Sequence, residues 1–431
     1  MKKFIEVKEF DTIICKEGCS DNYKYLEKEC FDDLENFIKE FTGNEEISDA
    51  SKFMKLGYRR KVGRTISLNN YVGLIQTNRG LQVQILPKID FKDEERDNTM
   101  KIFLRMLRSM KDFPYKIFHV SDLKIDHMNL YEIFINMYIQ EAWNLVKHGI
   151  KSDYIAQQDN LTYFKGKLLI KEHIKHNITH KERFYIAYDE FRVDRPENRI
   201  VKATLLKLQK LSENDNNVKQ LRQLLVSFES VVPSINYDKD FEKVVINRTT
   251  KDYEILMKWS KLFLQNKSFT TFSGNTSSRT LLFPMERVFE VYVARELKKV
   301  LISDWKISVQ DTSLFLFDKP KKFSLQPDIV ITKSDGTRII ADTKWKRLID
   351  NPNKNYGISQ SDMYQMFAYA IKYDTPHVWL LYPATKELRD RYDITYESSG
   401  EHGMEVKISV FFVDVLNIKE SLMKLQSFLE I

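Results

Sequence analysis

The chain has 431 residues, and Lys plus Arg outnumber Asp plus Glu by 68 to 61, giving a formal charge of +7 and a pI near 8.9. That length exceeds one ordinary hydrophobic core, so two or three domains are expected. The mild positive charge is compatible with a polyanion partner without diagnosing one. No apolar run reaches the roughly 18 residues needed to cross a bilayer, and the start, MKKFIEVKEF, lacks the apolar centre of a signal peptide; a protein without membrane contact, in the cytoplasm, is expected.

Cys15, Cys19 and Cys30 match no zinc spacing and read as reduced thiols. Phe4–Val7 and Thr12–Ile14 are short strand candidates, and Tyr23, Leu26, Cys30, Leu34, Phe37, Ile38 and Phe41 recur at helical spacing. The basic stretch from Lys55 to Arg64 reads as a solvated loop, or as a contact to phosphate or an acidic partner. Tyr71–Ile75 and Leu81–Ile85 alternate around Thr77–Gly80 as a hairpin, which ends at Leu86-Pro87-Lys88. A basic helix is expected from Thr99 to Met110, and the pattern breaks near Lys111–Tyr115.

The middle of the chain is mainly helical by its periodicity: Leu130–Val146, Asn198–Leu211, Val218–Phe228 and Tyr253–Leu264, with a strand-and-turn excursion from Leu161 to Ile170. His173, His176 and His180 could bind zinc if helical. Lys171, Lys175 and Lys181 disfavour a nearby cation, however, and no carboxylate orients the imidazoles. Asp189 to Arg199 is densely charged, but Arg192, Arg195 and Arg199 interleave its acids, so a self-satisfied turn leading into a helix is expected.

The last third carries the chemistry. Pro284 opens a helix that places Glu286, Glu290, Val293 and Leu297 in one stripe. Strands are expected at Trp305–Val309 and Leu314–Phe317, then a hairpin whose arms are Ile329–Ile331 and Ile339–Ile340. Each arm carries an acid, Asp328 and Asp342, and Lys344 shares the face of Asp342 by strand alternation. A two-residue turn would leave Asp328 opposite Thr343. The three-residue loop Ser334-Asp335-Gly336, a type I turn closed by a glycine bulge, sets Asp328 opposite Asp342 and is the expected one. Directly opposed Cβ atoms lie roughly 4.5–5.5 Å apart. Two bare carboxylates that close repel, and a hard divalent cation such as Mg²⁺ relieves the repulsion. The alternative is a solvated edge hairpin with a surface Asp–Lys pair. Asp350–Tyr356 reads as a loop near the site; a helix from Ser361 to Tyr373, strands at His377–Tyr382 and Val406–Val413, and a closing helix from Ile418 to Leu429 complete the chain.

Pro327-Asp328 followed by Asp342-Thr343-Lys344 resembles the PD-(D/E)xK nuclease motif, with Glu290 upstream and a Gln365-x-x-x-Tyr369 pair downstream as in RecB-type members. With Ile85–Lys88, Asp189-Glu190-Phe191, Asn198-Arg199-Ile200 and Phe283–Glu290, the chain resembles the McrC family from about Tyr71 to Tyr382. That resemblance implies an α+β multidomain protein with a restriction-endonuclease-like α/β core: an α/β partner-binding domain over 1–115, a helical region over 116–265 and a nuclease domain over 266–431. It implies cleavage of double-stranded DNA with Mg²⁺ (or Mn²⁺) held by Asp328, Asp342, the Thr343 carbonyl and Glu290, with Lys344 and Gln365 also catalytic. It implies docking on a hexameric McrB-like AAA+ GTPase, the N-terminal part entering the ring (Tyr58–Arg64 being the candidate contact) and GTP used only by that partner. The chain has no phosphate-binding loop of its own. The rival reading is a stand-alone PD-(D/E)xK nuclease or a DNA-binding protein without an NTPase partner.

Overall fold

The computed structural model describes residues 3–18, 23–42, 53–77, 79–89, 96–110, 113, 129–265, 279–302, 304–398 and 405–430. The chain divides into two compact units, one of residues 1–126 with 268–431 and the other of residues 127–267. The sequence breaks read near 111–115 and 266 lie outside the described residues apart from Phe113, as does Cys19; Cys15 and Cys30 are free thiols.

The first unit begins with β1 (Phe4–Lys8), β2 (Thr12–Ile14), β3 (Tyr23–Tyr25) and α1 (Lys28–Thr42). The helix starts after Leu26 because Tyr23–Tyr25 pairs in parallel with β2. The basic stretch read as a solvated loop is instead a hairpin, β4 (Met54–Arg59) and β5 (Gly63–Leu68). Its charges sit on exposed positions except Arg64, which is half-buried and pairs with Asp32 and Glu35, while Met54, Ile66 and Leu68 face the core, so solvent-side Lys and Arg masked the alternation. β6 (Tyr71–Gln76) and β7 (Gln82–Leu86) form the expected hairpin, followed by α2 (Arg96–Leu107).

The second unit holds α3 (Leu130–His148), β8 (Asp153–Leu161), β9 (Lys167–Leu168), α4 (Ile170–Asn177), β10 (Phe184–Arg192), α5 (Pro196–Leu211), α6 (Asp215–Ser227), α7 (Tyr237–Glu242) and α8 (Glu254–Gln265). Its core is aromatic: Phe134 and Phe263 pack on Trp259, and Tyr138 meets Phe263 edge-on. The strand excursion is larger than its sequence signal, a sheet of order β8-β10-β9 whose long strands pair over nine residues. Asp189 to Arg192 closes β10 instead of forming a turn, while Arg192–Glu190, Arg195–Glu197 and Arg199–Asp194 satisfy that segment's charges internally. His173 and His176 lie on α4, stacked against Phe184 and Tyr185, and His180 pairs with Glu182.

Back in the first unit, β11 (Arg279–Pro284), a strand not expected from its short apolar run, completes a four-stranded sheet of order β1-β7-β6-β11. Gly73 makes that pairing possible: it sits at φ +145°, and a Cβ there would lie 1.9 Å from the Leu281 carbonyl oxygen. Then come α9 (Met285–Val300), β12 (Lys306–Val309), β13 (Phe315–Asp318), β14 (Lys321–Ser324), β15 (Ile329–Thr332), β16 (Arg338–Thr343), α10 (Gln360–Tyr373), β17 (His377–Pro383), β18 (Thr395–Ser398), β19 (Val406–Val413) and α11 (Ile418–Glu430). The segment before α10, read as a loop, is a 3-10 turn over Pro352–Gly357.

The central sheet has the order β12-β15-β16-β17-β19-β18. β16 runs antiparallel to β15 and parallel to β17, so both its edges are paired. Val330, Ile340, Val378, Leu380 and Tyr382 share a core with Met366, Tyr369 and Tyr373 of α10. Trp379 and Phe411 turn the other way, onto Phe428 of α11. A sheet covered by helices on both faces reads as near-continuous apolar strands, which is why acids within it stand out.

Candidate catalytic site at the end of the central hairpin

The turn between β15 and β16 decides where the acids meet. Ile329, Val330, Ile331 and Thr332 pair with Ala341, Ile340, Ile339 and Arg338. Lys333 N–H donates to Thr337 O at 2.8 Å and Gly336 N–H to Lys333 O at 3.0 Å, with Gly336 at φ +87°. This is the three-residue bulged loop that the sequence called for. One step past the Ile329–Ala341 pair, the same register sets Asp328 across from Asp342.

Alternation then sorts the side chains. Asp342 and Lys344 share the α10 face with Ile340, and the Lys344 ammonium lies 2.5 Å from Asp342 Oδ2. Lys344 Nζ also donates to Gln365 Oε1 at 3.1 Å, and Gln365 Nε2 donates to the Tyr369 hydroxyl at 2.8 Å. The four-residue spacing on α10 thus makes a relay that aims the lysine. Trp345 points to the opposite face and packs on Phe289 of α9.

Asp328 Oδ2 accepts from both the Thr343 N–H (2.8 Å) and the Thr343 hydroxyl (2.6 Å). The sequence assigned Thr343 through its carbonyl; its amide and hydroxyl are the groups that orient Asp328. Glu290, on α9, accepts from Gln310 Nε2 at 2.5 Å, and Gln310 Oε1 accepts from Gln326 Nε2 at 2.5 Å. Gln310 is held at φ +53° just past β12, its N–H donating to the Asp328 carbonyl at 3.0 Å. Neither Gln310 nor Gln326 carried a signal in the sequence, because their roles depend on a turn geometry that no motif encodes.

Electrostatics separates these groups from an ordinary ion-pair cluster. Asp342 is 1% exposed. Burial first, and the neighbouring Asp328 charge second, raise its carboxyl above the usual range, with Lys344 pulling the other way. Burial also raises Asp328 against its two Thr343 hydrogen bonds. Glu290 is pushed up to about 7, by burial and then by Asp328. For Lys344 burial works to lower the pKa, but Asp342 and then Asp328 outweigh it and the ammonium is held more firmly than usual. Asp328, Asp342 and Glu290 gather their carboxyl oxygens close to the Lys344 ammonium, an acid-rich set. Hard oxygen donors with excess negative charge are a set suited to a divalent cation. In their present positions no three His, Cys, Asp or Glu side chains among the described residues converge into a ready ligand cluster. Asp328 and Asp342 form the core of the donor set, and Glu290 stands behind them.

These features define a mixed α/β multidomain protein whose acidic centre is built on the end of its central hairpin. The chain belongs to the family described as McrBC 5-methylcytosine restriction system component, which matches residues 66–383. Among solved structures it is similar, over 100% of both chains at 20% identity and a TM-score of 0.76, to a chain in a half-complex from a tetradecameric assembly of Thermococcus gammatolerans McrB AAA+ hexamers with bound McrC. A second similarity, at 23% identity and a TM-score of 0.50 over 70% of this chain and 89% of the other, is to the Thermococcus gammatolerans McrBC complex seen by cryo-EM. At these identities the likeness is one of fold. No curated protein sequence gives a significant match. Among the described residues, no helix is long and apolar enough to cross a membrane.

Proposed function

We propose that this chain is a Mg²⁺-dependent endodeoxyribonuclease of the PD-(D/E)xK type, the cutting subunit of a McrBC-like restriction system. In this reading it cleaves double-stranded DNA bearing 5-methylcytosine when assembled on a McrB-like AAA+ GTPase hexamer, and it stimulates that partner's GTP hydrolysis. The observation that carries the reading is the meeting of Asp328, Asp342 and Lys344 at one strand end, with Glu290 beside them and more negative than positive charge. The family description and the fold shared with McrB-bound assemblies support the choice of system.

Asp328 and Asp342 would hold Mg²⁺, or Mn²⁺ in its place, with the Thr343 carbonyl and Glu290 as further oxygen donors. When bound, the ion supplies Lewis acidity toward the scissile phosphate and the attacking water. Lys344 stays charged and is aimed by Asp342 and Gln365, so its ammonium stabilises negative charge developing on the phosphoryl oxygens. Gln365 is fixed in turn by Tyr369 and sets the lysine's direction. Glu290 has one oxygen occupied by Gln310, which leaves its other oxygen to serve as the further donor.

The test is a cleavage assay on methylated and unmethylated DNA, with and without the AAA+ partner, GTP and Mg²⁺. Cutting is expected only when methylation, partner, GTP and metal are all present. Asp342→Ala and Lys344→Ala should each abolish cutting while leaving stimulation of the partner's GTP hydrolysis intact. Persistent cutting by both variants would overturn the site. Partner-independent cutting would favour a stand-alone nuclease.

A further inference from the structure

Glu9 is a buried acid that this mechanism does not use. Glu9 follows β1, is 0% exposed, and lies 336 residues from the side chain it holds. Its Oε1 accepts from the Trp345 indole N–H at 2.8 Å and from the Lys88 N–H at 2.8 Å; its Oε2 accepts from the same indole at 3.0 Å. Its own N–H donates to Leu86 O at 2.9 Å, so the residue is anchored where β1 and β7 end. These bonds come from a backbone amide and an indole, not from an ammonium or guanidinium. Packing alone does not require a carboxylate here, because burying one is costly.

The far side of the indole explains the placement. Trp345 is 4% exposed and packs on Phe289 with ring centroids 5.1 Å apart. Trp345 directly follows Lys344, and Phe289 directly precedes Glu290. The Trp–Phe pair therefore fixes the chain on either side of the acidic centre. The Lys344 backbone is held there as well by its N–H donating to Leu381 O at 2.9 Å and its carbonyl accepting from the Lys346 N–H at 3.0 Å.

We propose that Glu9 is a positioning residue: it pins the Trp345 indole against Phe289, and so makes the placement of Lys344 and Glu290 depend on the N-terminal sheet. The proposal rests on the nuclease reading for what those two residues do. It makes the β1–β7 sheet part of the machinery that sets the geometry of the cutting centre. A force or ligand that moves the sheet relative to β16 would be felt first at the lysine.

The test uses the full chain with its AAA+ partner, GTP, Mg²⁺ and methylated DNA, and compares Glu9→Ala, Glu9→Gln, Trp345→Phe and the Glu9→Ala/Trp345→Phe double variant. Glu9→Ala should lower kcat by about 10- to 100-fold, the range expected for a small misplacement of catalytic groups, with KM for DNA unchanged. Glu9→Gln keeps an acceptor for the indole and the Lys88 amide and should recover most of that loss. Trp345→Phe keeps the ring stack but lacks the N–H, so it should match Glu9→Ala, and the double variant should lose nothing more. Additive losses, or a folded Glu9→Ala protein cutting at the wild-type rate, would overturn the proposal.

A second readout does not depend on cleavage. With 5-fluorotryptophan incorporated, and the Trp345 line assigned by its disappearance in Trp345→Phe, Glu9→Ala should shift and broaden that line in the isolated chain, and Glu9→Gln should move it less. An unchanged line in Glu9→Ala would also overturn the link. If the wild-type protein cuts no DNA, or Asp342→Ala cuts normally, the nuclease reading fails by itself, and the fluorine line alone then decides whether the tether exists.

Discussion

Glu9 also sets a test of stability whose sign can be worked out in advance. Its carboxyl is pushed from 4.5 to about 7, by burial first, with the Lys88 amide, the Trp345 indole and the charges of Lys88 and Arg347 opposing. The native state therefore holds this proton more tightly than the unfolded chain does. Below about pH 4.5 both states carry it and the group contributes no pH dependence. Between about 4.5 and 7 the unfolded chain has released the proton while the native state keeps it, so stability falls as pH rises, and above 7 the penalty is complete. A shift of that size corresponds to on the order of 3 kcal/mol at about 1.4 kcal/mol per unit. Glu9→Gln mimics the protonated form at every pH. It should match the wild type near pH 4.5 and be more stable by up to about 3 kcal/mol at pH 8. Paired denaturant titrations at several pH values measure the gap between the two proteins, which cancels the titration of all other groups. A gap that is constant with pH, or that opens toward acid, would refute the burial argument.

Two further outcomes follow from the geometry. Asp328→Asn removes one of two opposed buried acids, keeps an acceptor for Thr343 and leaves the Asp342–Lys344 pair, so it should raise Tm in metal-free buffer by a few degrees, at roughly 2–4 °C per kcal/mol, and should abolish any Tm increase caused by Mg²⁺; thermal melts with and without the ion check both, and a Mg²⁺-dependent shift that survives the substitution would count against Asp328 as a ligand. Gly73→Ala would place a Cβ 1.9 Å from the Leu281 carbonyl at φ +145°, so at least several kcal/mol should be lost from a combination of backbone strain and overpacking; wild-type stability in denaturant unfolding would mean that β6 and β11 do not pair so closely.

The hairpin of β15 and β16 was legible because its signals are local. β-branched runs, a Ser-Asp-Gly turn and a period of two fix both register and face within sixteen residues, from Asp328 to Thr343. The same holds for α10, where Ser359 caps the start by accepting from the Asp362 N–H, and for α3, capped by Asn129. What escaped the sequence depends on distant partners. β11 owes its existence to β6, more than two hundred residues earlier, and shows only a short apolar run of its own. β4 and β5 hide their alternation under solvent-facing lysines and arginines. Gln310 reaches Glu290 only because its backbone adopts a left-handed turn, and Glu9 reads as one more charge in an N-terminal strand until Trp345 is placed against it.

The cost of the acids is itself evidence about the site. β16 is paired on both edges and covered on both faces, and every neighbour of Asp342 along it down to Ile339 is apolar and buried. An asparagine at 328 and a serine or asparagine at 342 would satisfy Thr343 and the strand end without the repulsion that raises both carboxyls. A sequence shaped only for folding has no reason to oppose two acids there, to spend the Lys344 ammonium on one of them, and to bring a third carboxylate up behind. The excess negative charge becomes favourable only when something positive enters, and the strand end is where it can, since β16 stops at Thr343 while the aimed Lys344 remains partly accessible. On this argument the apo protein is strained at the point where it is expected to act. As proposed, the Glu9–Trp345 tether would hold the strand end against α9 and so keep the acids opposed.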